Sequence, residues 1–200
     1  MTLKGSLFNI LLVVFLLFSF NKLSHALEPK DFVQSTIDKA SEILSSESSK
    51  DEKIVQLRDI AKNTVDIRGI GFYSLGSHRK SLDSDQKKEY LKIFEQYFLK
   101  SFSSRLAEYS NPKIRVDSQE KLNEKYTMVS STLLAGDDKP EVKIDWRIVT
   151  KDPNNPLIID VVIEGVSLAK VQKEEFNSII QSNDGDIKVL FTTLQEFINQ

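Results

Sequence analysis

The 200-residue chain contains no cysteine, two histidines and one tryptophan. Without cysteine it can form no disulfide, so its core alone must hold it together. His25 lies in an N-terminal segment that we expect to be removed, which leaves His78 for imidazole chemistry. One histidine without cysteine cannot supply a zinc or copper site. We therefore expect no metal and no cofactor.

An excess of positive charge is also missing. The chain has 27 Lys and Arg against 29 Asp and Glu, and no long basic run. Binding to nucleic acid by phosphate neutralisation is therefore disfavoured. Strong electrostatic adhesion to anionic lipid surfaces is disfavoured for the same reason.

A long apolar run occurs only at the N-terminus, over residues 7–20. Its length of about 14 residues is short of the roughly 20 that a spanning helix needs. Lys4 precedes it and Ser24-His25-Ala26 follows as a small-x-small cleavage site, which is typical of a secretory signal. No cysteine follows the run, so a lipoprotein anchor is excluded. We predict a signal peptide over 1–26 and a single exported domain over 27–200, with an uncleaved anchor as the weaker alternative.

Helical periodicity dominates the first half of the mature chain. Ser49 and Glu52 form a predicted capping box, and Asp66 is a predicted N-cap of a short helix. The longest helix is predicted from about Asp83 to Tyr109. Two further helices are predicted at the C-terminus, over 168–181 and from Ile187 onward.

The pattern changes to a period of two in between. Predicted strands cover 114–117, 125–134, 141–150 and 157–164, with short turns at 135–138 and 152–156. Apolar residues at 142, 144, 146 and 148 alternate with Lys143, Asp145 and Arg147, which indicates one buried and one wet face. The predicted fold class is α+β: a twisted antiparallel sheet of about four strands, wrapped by N- and C-terminal helices.

One segment, Gly165-Val166-Ser167-Leu168-Ala169, has the spacing of a nucleophile elbow between a strand and a helix. In the hydrolase order a histidine must follow the serine, and none does. We therefore interpret Ser167 as the cap of the following helix, and we expect no enzymatic activity.

The remaining signal is a surplus of apolar and aromatic residues on the long helix and the sheet. Periodicity alone favours an ordinary core over the lining of a cavity. If a cavity exists, strand alternation and helical spacing predict that its lining is Phe94, Phe98, Phe102, Val142, Ile144, Trp146, Ile148, Ile159, Val161, Ile163 and Phe176.

Three stretches of sequence favour a cavity lining over an ordinary core because they resemble a known family. They are the run from Ile159 to Leu168 (IDVVIEGVSL), the strand Lys143-Ile144-Asp145-Trp146-Arg147, and the long helix that ends in Leu106-Ala107-Glu108-Tyr109. Together they resemble the MlaC, or toluene-tolerance, family of periplasmic phospholipid-binding proteins of the Mla lipid-transport system. Ile159 departs from the family pattern, which often has tyrosine at that position.

The resemblance implies a deep apolar pocket that holds the two acyl chains of a phospholipid. It implies lipid transport through the periplasm between an outer-membrane lipoprotein–porin complex and an inner-membrane ABC transporter with its lipid-binding domain protein. The role would be to maintain outer-membrane lipid asymmetry, and we expect a monomer. The alternatives are a carrier of another apolar lipid of the hopanoid type, a cargo-free exported adaptor and, last, an esterase.

Overall fold

The computed structural model describes residues 27–135 and 140–200. The signal peptide predicted over 1–26, and residues 136–138 of a predicted turn, lie outside these residues.

Four α-helices precede the sheet. Their starts follow the predicted caps: Ser49 and Glu52 form the capping box, and the Asp66 carboxylate accepts from the Gly69 amide at 2.8 Å. The longest helix ends at Leu106, three residues earlier than predicted. A 3₁₀ helix at Gly76–Lys80 places His78 in a helical turn rather than a loop. The four helices are α1 (Pro29–Ser45), α2 (Lys50–Thr64), α3 (Ile67–Ser74) and α4 (Ser84–Leu106).

The described strands form one antiparallel meander in the order of the chain. The four predicted strands are confirmed, and a two-residue fifth strand is added after a tight turn at Glu164 and Gly165. Both turn residues have positive φ, 48° and 83°, a conformation that glycine adopts without strain. The strands are β1 (Ile114–Lys121), β2 (Tyr126–Leu133), β3 (Val142–Val149), β4 (Leu157–Ile163) and β5 (Val166–Ser167).

Two helices, α5 (Leu168–Gln181) and α6 (Ile187–Asn199), complete the chain at the predicted positions. Helix α1 packs on β1 and β2, while α3 and α5 pack on β4. Helix α4 is central and packs against α2, α3 and α6. The helices thus cover one face of the sheet, which confirms the α+β architecture. Across residues 27–135 and 140–200, no helix combines the length and apolar character needed to cross a bilayer.

Candidate functional site

The covered face of the sheet presents an apolar surface to the helices. Residues that pair directly across antiparallel strands point to the same face. Trp146 pairs with Val129 on one side and with Val161 on the other, and Ile144 pairs with Ile163. The predicted inward row of β3 therefore continues across three strands.

A row of aromatic side chains on α4 belongs to the same interior. The Phe94 and Phe98 ring centroids are 6.1 Å apart, and Phe98 and Phe102 are stacked at 5.7 Å. Phe176 of α5 meets the edge of Phe94 at 6.1 Å. Phe98, Phe102, Trp146 and Val161 all pack against one core cluster. Predicted residues from the helices and from the sheet thus pack against the same core cluster, which we call the interior.

This interior is sealed at one end, which we call the closed end. Phe94 and Ile148 are fully buried there, and Ile158 is 4% exposed. The amide of Asp66, just after α2, donates to the Ile158 carbonyl at 2.9 Å and ties the helices to the sheet. No room for a ligand is expected where side chains pack this tightly.

A second set of residues on this interior is less buried, and we call this part the open end. Phe98, Phe102, Trp146 and Val161 are only half-buried although they face the interior. The apolar face then runs from half-buried Ile163 to its partner on β5, Val166, which is 52% exposed. The apolar face of the sheet therefore continues to an exposed side chain on its edge strand.

Polar groups on the covered face are already satisfied. The Trp146 indole N–H donates to Ser131 Oγ at 2.8 Å, and the Ser131 hydroxyl donates to the Ile144 carbonyl at 3.2 Å. Every buried side-chain nitrogen and oxygen in the described parts of the chain has a hydrogen-bond partner. Binding of an apolar ligand would therefore leave none of these groups without a hydrogen-bond partner.

The segment with the spacing of a nucleophile elbow forms a junction between β4 and α5, and the interpretation of Ser167 as a helix cap is confirmed. Ser167 is the N-cap of α5: its Oγ accepts from the Lys170 amide at 3.1 Å and donates to Asp160 at 2.7 Å. The same carboxylate accepts from the Ala169 amide at 3.0 Å. His78 instead contacts Asn177 at 3.1 Å. The Ser167 hydroxyl is thus engaged by a carboxylate and by a helix amide, while the side chain of His78 is hydrogen-bonded elsewhere.

Burial controls the ionisation of two tyrosines on α4. Desolvation raises the pKa of fully buried Tyr90 far above its usual value, and the nearby Tyr97 adds to the effect. Burial also raises the pKa of Tyr97, against the opposing effect of its hydrogen bond to Gln172. Both phenols are therefore neutral at physiological pH and add no charge to the interior.

The eleven predicted lining residues fall into two groups. Four are buried in the core: Phe94, Ile144, Ile148 and Phe176. Seven are half-buried: Phe98, Phe102, Val142, Trp146, Ile159, Val161 and Ile163. Strand alternation missed Ile158, which pairs with Ile148, because the β3–β4 register shifts after Arg147 and interrupts the period of two.

Two shallow depressions elsewhere have a different character. They have volumes of ≈ 310 Å³ and ≈ 360 Å³ and share Gln56 of α2. Charged residues such as Asp51, Glu52, Lys39 and Glu42 contribute to their walls, and none of the predicted lining residues does. Within the described residues, no group of three or more His, Asp or Glu could hold a metal ion.

Comparison with known proteins agrees with this architecture. The protein family described as MlaC protein matches residues 34–196. The intermembrane phospholipid transport system binding protein MlaC of Haemophilus influenzae is 25% identical over 180 residues, which cover 86% of this chain and 83% of that protein. A phospholipid-binding protein from Ralstonia solanacearum, solved in complex with a phospholipid, superposes with a TM-score of 0.70 at 18% identity, covering 86% of this chain and 97% of the other. The family match spans most of the sequence, and the chain therefore belongs to the MlaC family.

Proposed function

We propose that this protein is a periplasmic phospholipid carrier that encloses the acyl chains of its cargo between the sheet and α4 and performs no chemistry on them. The observation that carries the proposal is the apolar interior, which is fully buried at Phe94 and Ile148 and continues across the sheet to Val166, which is 52% exposed. An amphipathic ligand suits such a site, since its tails can lie inside while its headgroup stays wet.

Two relatives support phospholipid as the cargo. The Haemophilus influenzae relative is a binding protein of an intermembrane phospholipid transport system, and the Ralstonia solanacearum protein of the same fold was solved with a phospholipid. Family membership extends this expectation to the present chain. A binding and transport role also agrees with the engaged hydroxyl of Ser167.

Energetics explain why a carrier is needed. Burial of each CH₂ group is worth about 0.8 kcal/mol, so exposing two tails of about 15 carbons would cost over 20 kcal/mol. A carrier must therefore cover the tails throughout transfer. The headgroup needs no such cover, so we expect little discrimination between headgroups.

The biological setting is part of the same proposal. The segment 1–26 would direct export and be cleaved, which leaves the domain 27–200 in the periplasm. There the carrier would receive and deliver phospholipid at an outer-membrane lipoprotein–porin complex and an inner-membrane ABC transporter with its lipid-binding domain protein. This exchange would maintain the lipid asymmetry of the outer membrane.

A transfer assay tests the proposal. Donor vesicles that contain a radiolabelled phospholipid are mixed with unlabelled acceptor vesicles, with and without the purified mature domain. We expect label to reach the acceptors at a rate proportional to protein concentration, with the phospholipid recovered chemically intact. A rate equal to that of vesicles alone, or recovery of hydrolysed lipid, would contradict a carrier that performs no chemistry.

A further inference from the structure

Among the described residues, Arg58 is one of several helical cations without a salt bridge, and it is held by a buried side chain. Arg58 of α2 is half-buried, and its Nε donates to Ser103 Oγ of α4 at 3.3 Å. Ser103 is fully buried, and its hydroxyl donates a hydrogen bond to the Leu99 carbonyl at 2.6 Å. None of the salt bridges among residues 27–135 and 140–200 includes Arg58. The guanidinium is thus held in place with its terminal nitrogens uncommitted.

Arg58 lies away from the closed end of the interior. Val65 forms a bridge to Ile158 at the closed end. Arg58 lies seven residues before Val65, which is about 10 Å along α2. Its partner Ser103 comes nine residues after Phe94, or about 13 Å along α4. Ser103 also directly follows Phe102, which is half-buried at the open end. The cation therefore lies beside the end of α4 that carries half-buried Phe102.

A second half-buried cation, Lys100 of α4, is already engaged. Lys100 Nζ donates to the Phe197 and Ile198 carbonyls, both at 3.0 Å, and so caps the end of α6. Arg58 has no such engagement at its terminal nitrogens. A half-buried guanidinium without an acidic partner is costly unless an anion completes it. A guanidinium also presents paired N–H donors that match the geometry of a phosphate group.

We propose that Arg58 binds the phosphate of the lipid cargo, with Ser103 as the positioning residue that orients its guanidinium. This rests on the function proposed above. Because every glycerophospholipid carries this phosphate, the contact would favour phospholipids over neutral diacyl lipids without selecting among headgroups.

A competition experiment tests the assignment. Delipidated mature protein is mixed with vesicles that contain equal amounts of a phosphatidylcholine and a diacylglycerol with identical tails, and bound lipids are extracted and quantified by mass spectrometry. We expect the wild type to take up mainly phosphatidylcholine. Arg58→Gln should lower the ratio of bound phosphatidylcholine to diacylglycerol about tenfold, the size expected for loss of hydrogen bonds to a charged group. Arg58→Lys should retain part of the preference, and Arg79→Gln, at an exposed position in the 3₁₀ helix, should retain all of it.

Other results of the competition experiment distinguish failure of the phosphate contact from failure of the carrier function. An unchanged ratio in Arg58→Gln, an equal loss of both lipids, or no preference in the wild type would overturn the phosphate contact while leaving the carrier function in place. Failure of the wild type to bind either lipid would overturn the carrier function itself. Titration of delipidated protein with inorganic phosphate distinguishes the source of the anion. Tight, Arg58-dependent binding of phosphate alone would assign the site to a free anion instead of a lipid headgroup.

Discussion

Asp160 connects the sheet to α5 through a single buried carboxylate. It is 5% exposed, accepts from Ser167 Oγ and the Ala169 amide, and lies 3.6 Å from Arg147 Nη1. The Ala169 amide belongs to the first turn of α5, where amides have no partner within the helix. Asp160 therefore supplies from β4 an acceptor that the helix cannot provide itself.

Asp160→Ala should lower the free energy of unfolding by about 2 kcal/mol, because it leaves the buried Ala169 amide without an acceptor. Denaturant unfolding measures the change. Glu174→Ala, which removes a partner of an exposed i,i+4 ion pair with Lys170, is the control and should have almost no effect. Equal stability of the two variants would show that the carboxylate does not anchor α5.

Tyr90 should make the protein sensitive to alkali. Burial raises its pKa above the value of about 10 that it has in the unfolded chain. Above pH 10 the tyrosine therefore loses its proton in the unfolded state but keeps it in the folded state. The contribution of Tyr90 to the free energy of unfolding is fully present below this pH and decreases as the pH rises.

Tyr90→Phe should reduce this fall by up to about 1.4 kcal/mol per pH unit above pH 10. At neutral pH it should cost about 1 kcal/mol, because the Gly71 carbonyl loses the phenol at 3.0 Å but still accepts from the Leu75 amide. Chemical unfolding at pH 7 and from pH 10 to 11 measures both effects. A variant whose stability falls as steeply as that of the wild type would contradict the role of Tyr90.

Helices α3 and α4 approach each other closely at Gly71. A Cβ at this position would lie 2.8 Å from Phe94 Cδ1, and Phe94 is fully buried at the closed end. Phe94 cannot easily move aside, since it also packs against Tyr90, Phe98 and Phe176.

Gly71→Ala should therefore destabilise the protein, since overpacking costs 1–3 kcal/mol against a helix-propensity gain of about 1 kcal/mol. In a Phe94→Leu background the same substitution should cost less, because the smaller side chain relieves the contact. A double-mutant cycle in denaturant measures the coupling. Additive costs would show that the two residues do not interfere.

At the level of elements, helix starts and the alternation of buried residues could be predicted from the sequence, because they depend on neighbouring residues. The caps at Ser49, Asp66 and Ser167 are local hydrogen bonds, so each helix start was recognisable from neighbouring residues. The alternation in β3 likewise predicted its inward row. These features require no knowledge of which elements meet.

Features that depend on tertiary pairing could not be predicted. The register shift that brings Ile158 opposite Ile148 arises between two strands and leaves no mark on β4 alone. The open end could not be predicted either, because it follows from the pairing of Ile163 with Val166 and from the packing of Phe102 against the core cluster. Arg58 was missed because a lone arginine on a helix usually faces solvent.

At the level of the whole molecule, one interior serves two purposes. Its closed end supplies the packing that stabilises the fold, while under the proposed function its open end holds the cargo. A substitution at the open end should therefore affect bound lipid more than stability.

Trp146→Asp and Phe98→Asp should each reduce the lipid that co-purifies with the folded protein, because a charge placed among acyl chains is poorly solvated. Val55→Asp is the control, since Val55 is 56% exposed on α2 and outside the interior. Lipid extraction with circular dichroism measures content and folding together. Unchanged lipid in a folded Trp146 or Phe98 variant would remove that residue from the lining.

The most direct test of the account is native mass spectrometry of the mature protein purified from the periplasm, followed by organic extraction. The account predicts a bound mass equal to one diacyl phospholipid per chain, released as intact lipid. An apo mass, with no lipid acquired from vesicles either, would contradict it and would mean that the interior between the sheet and α4 is only a core.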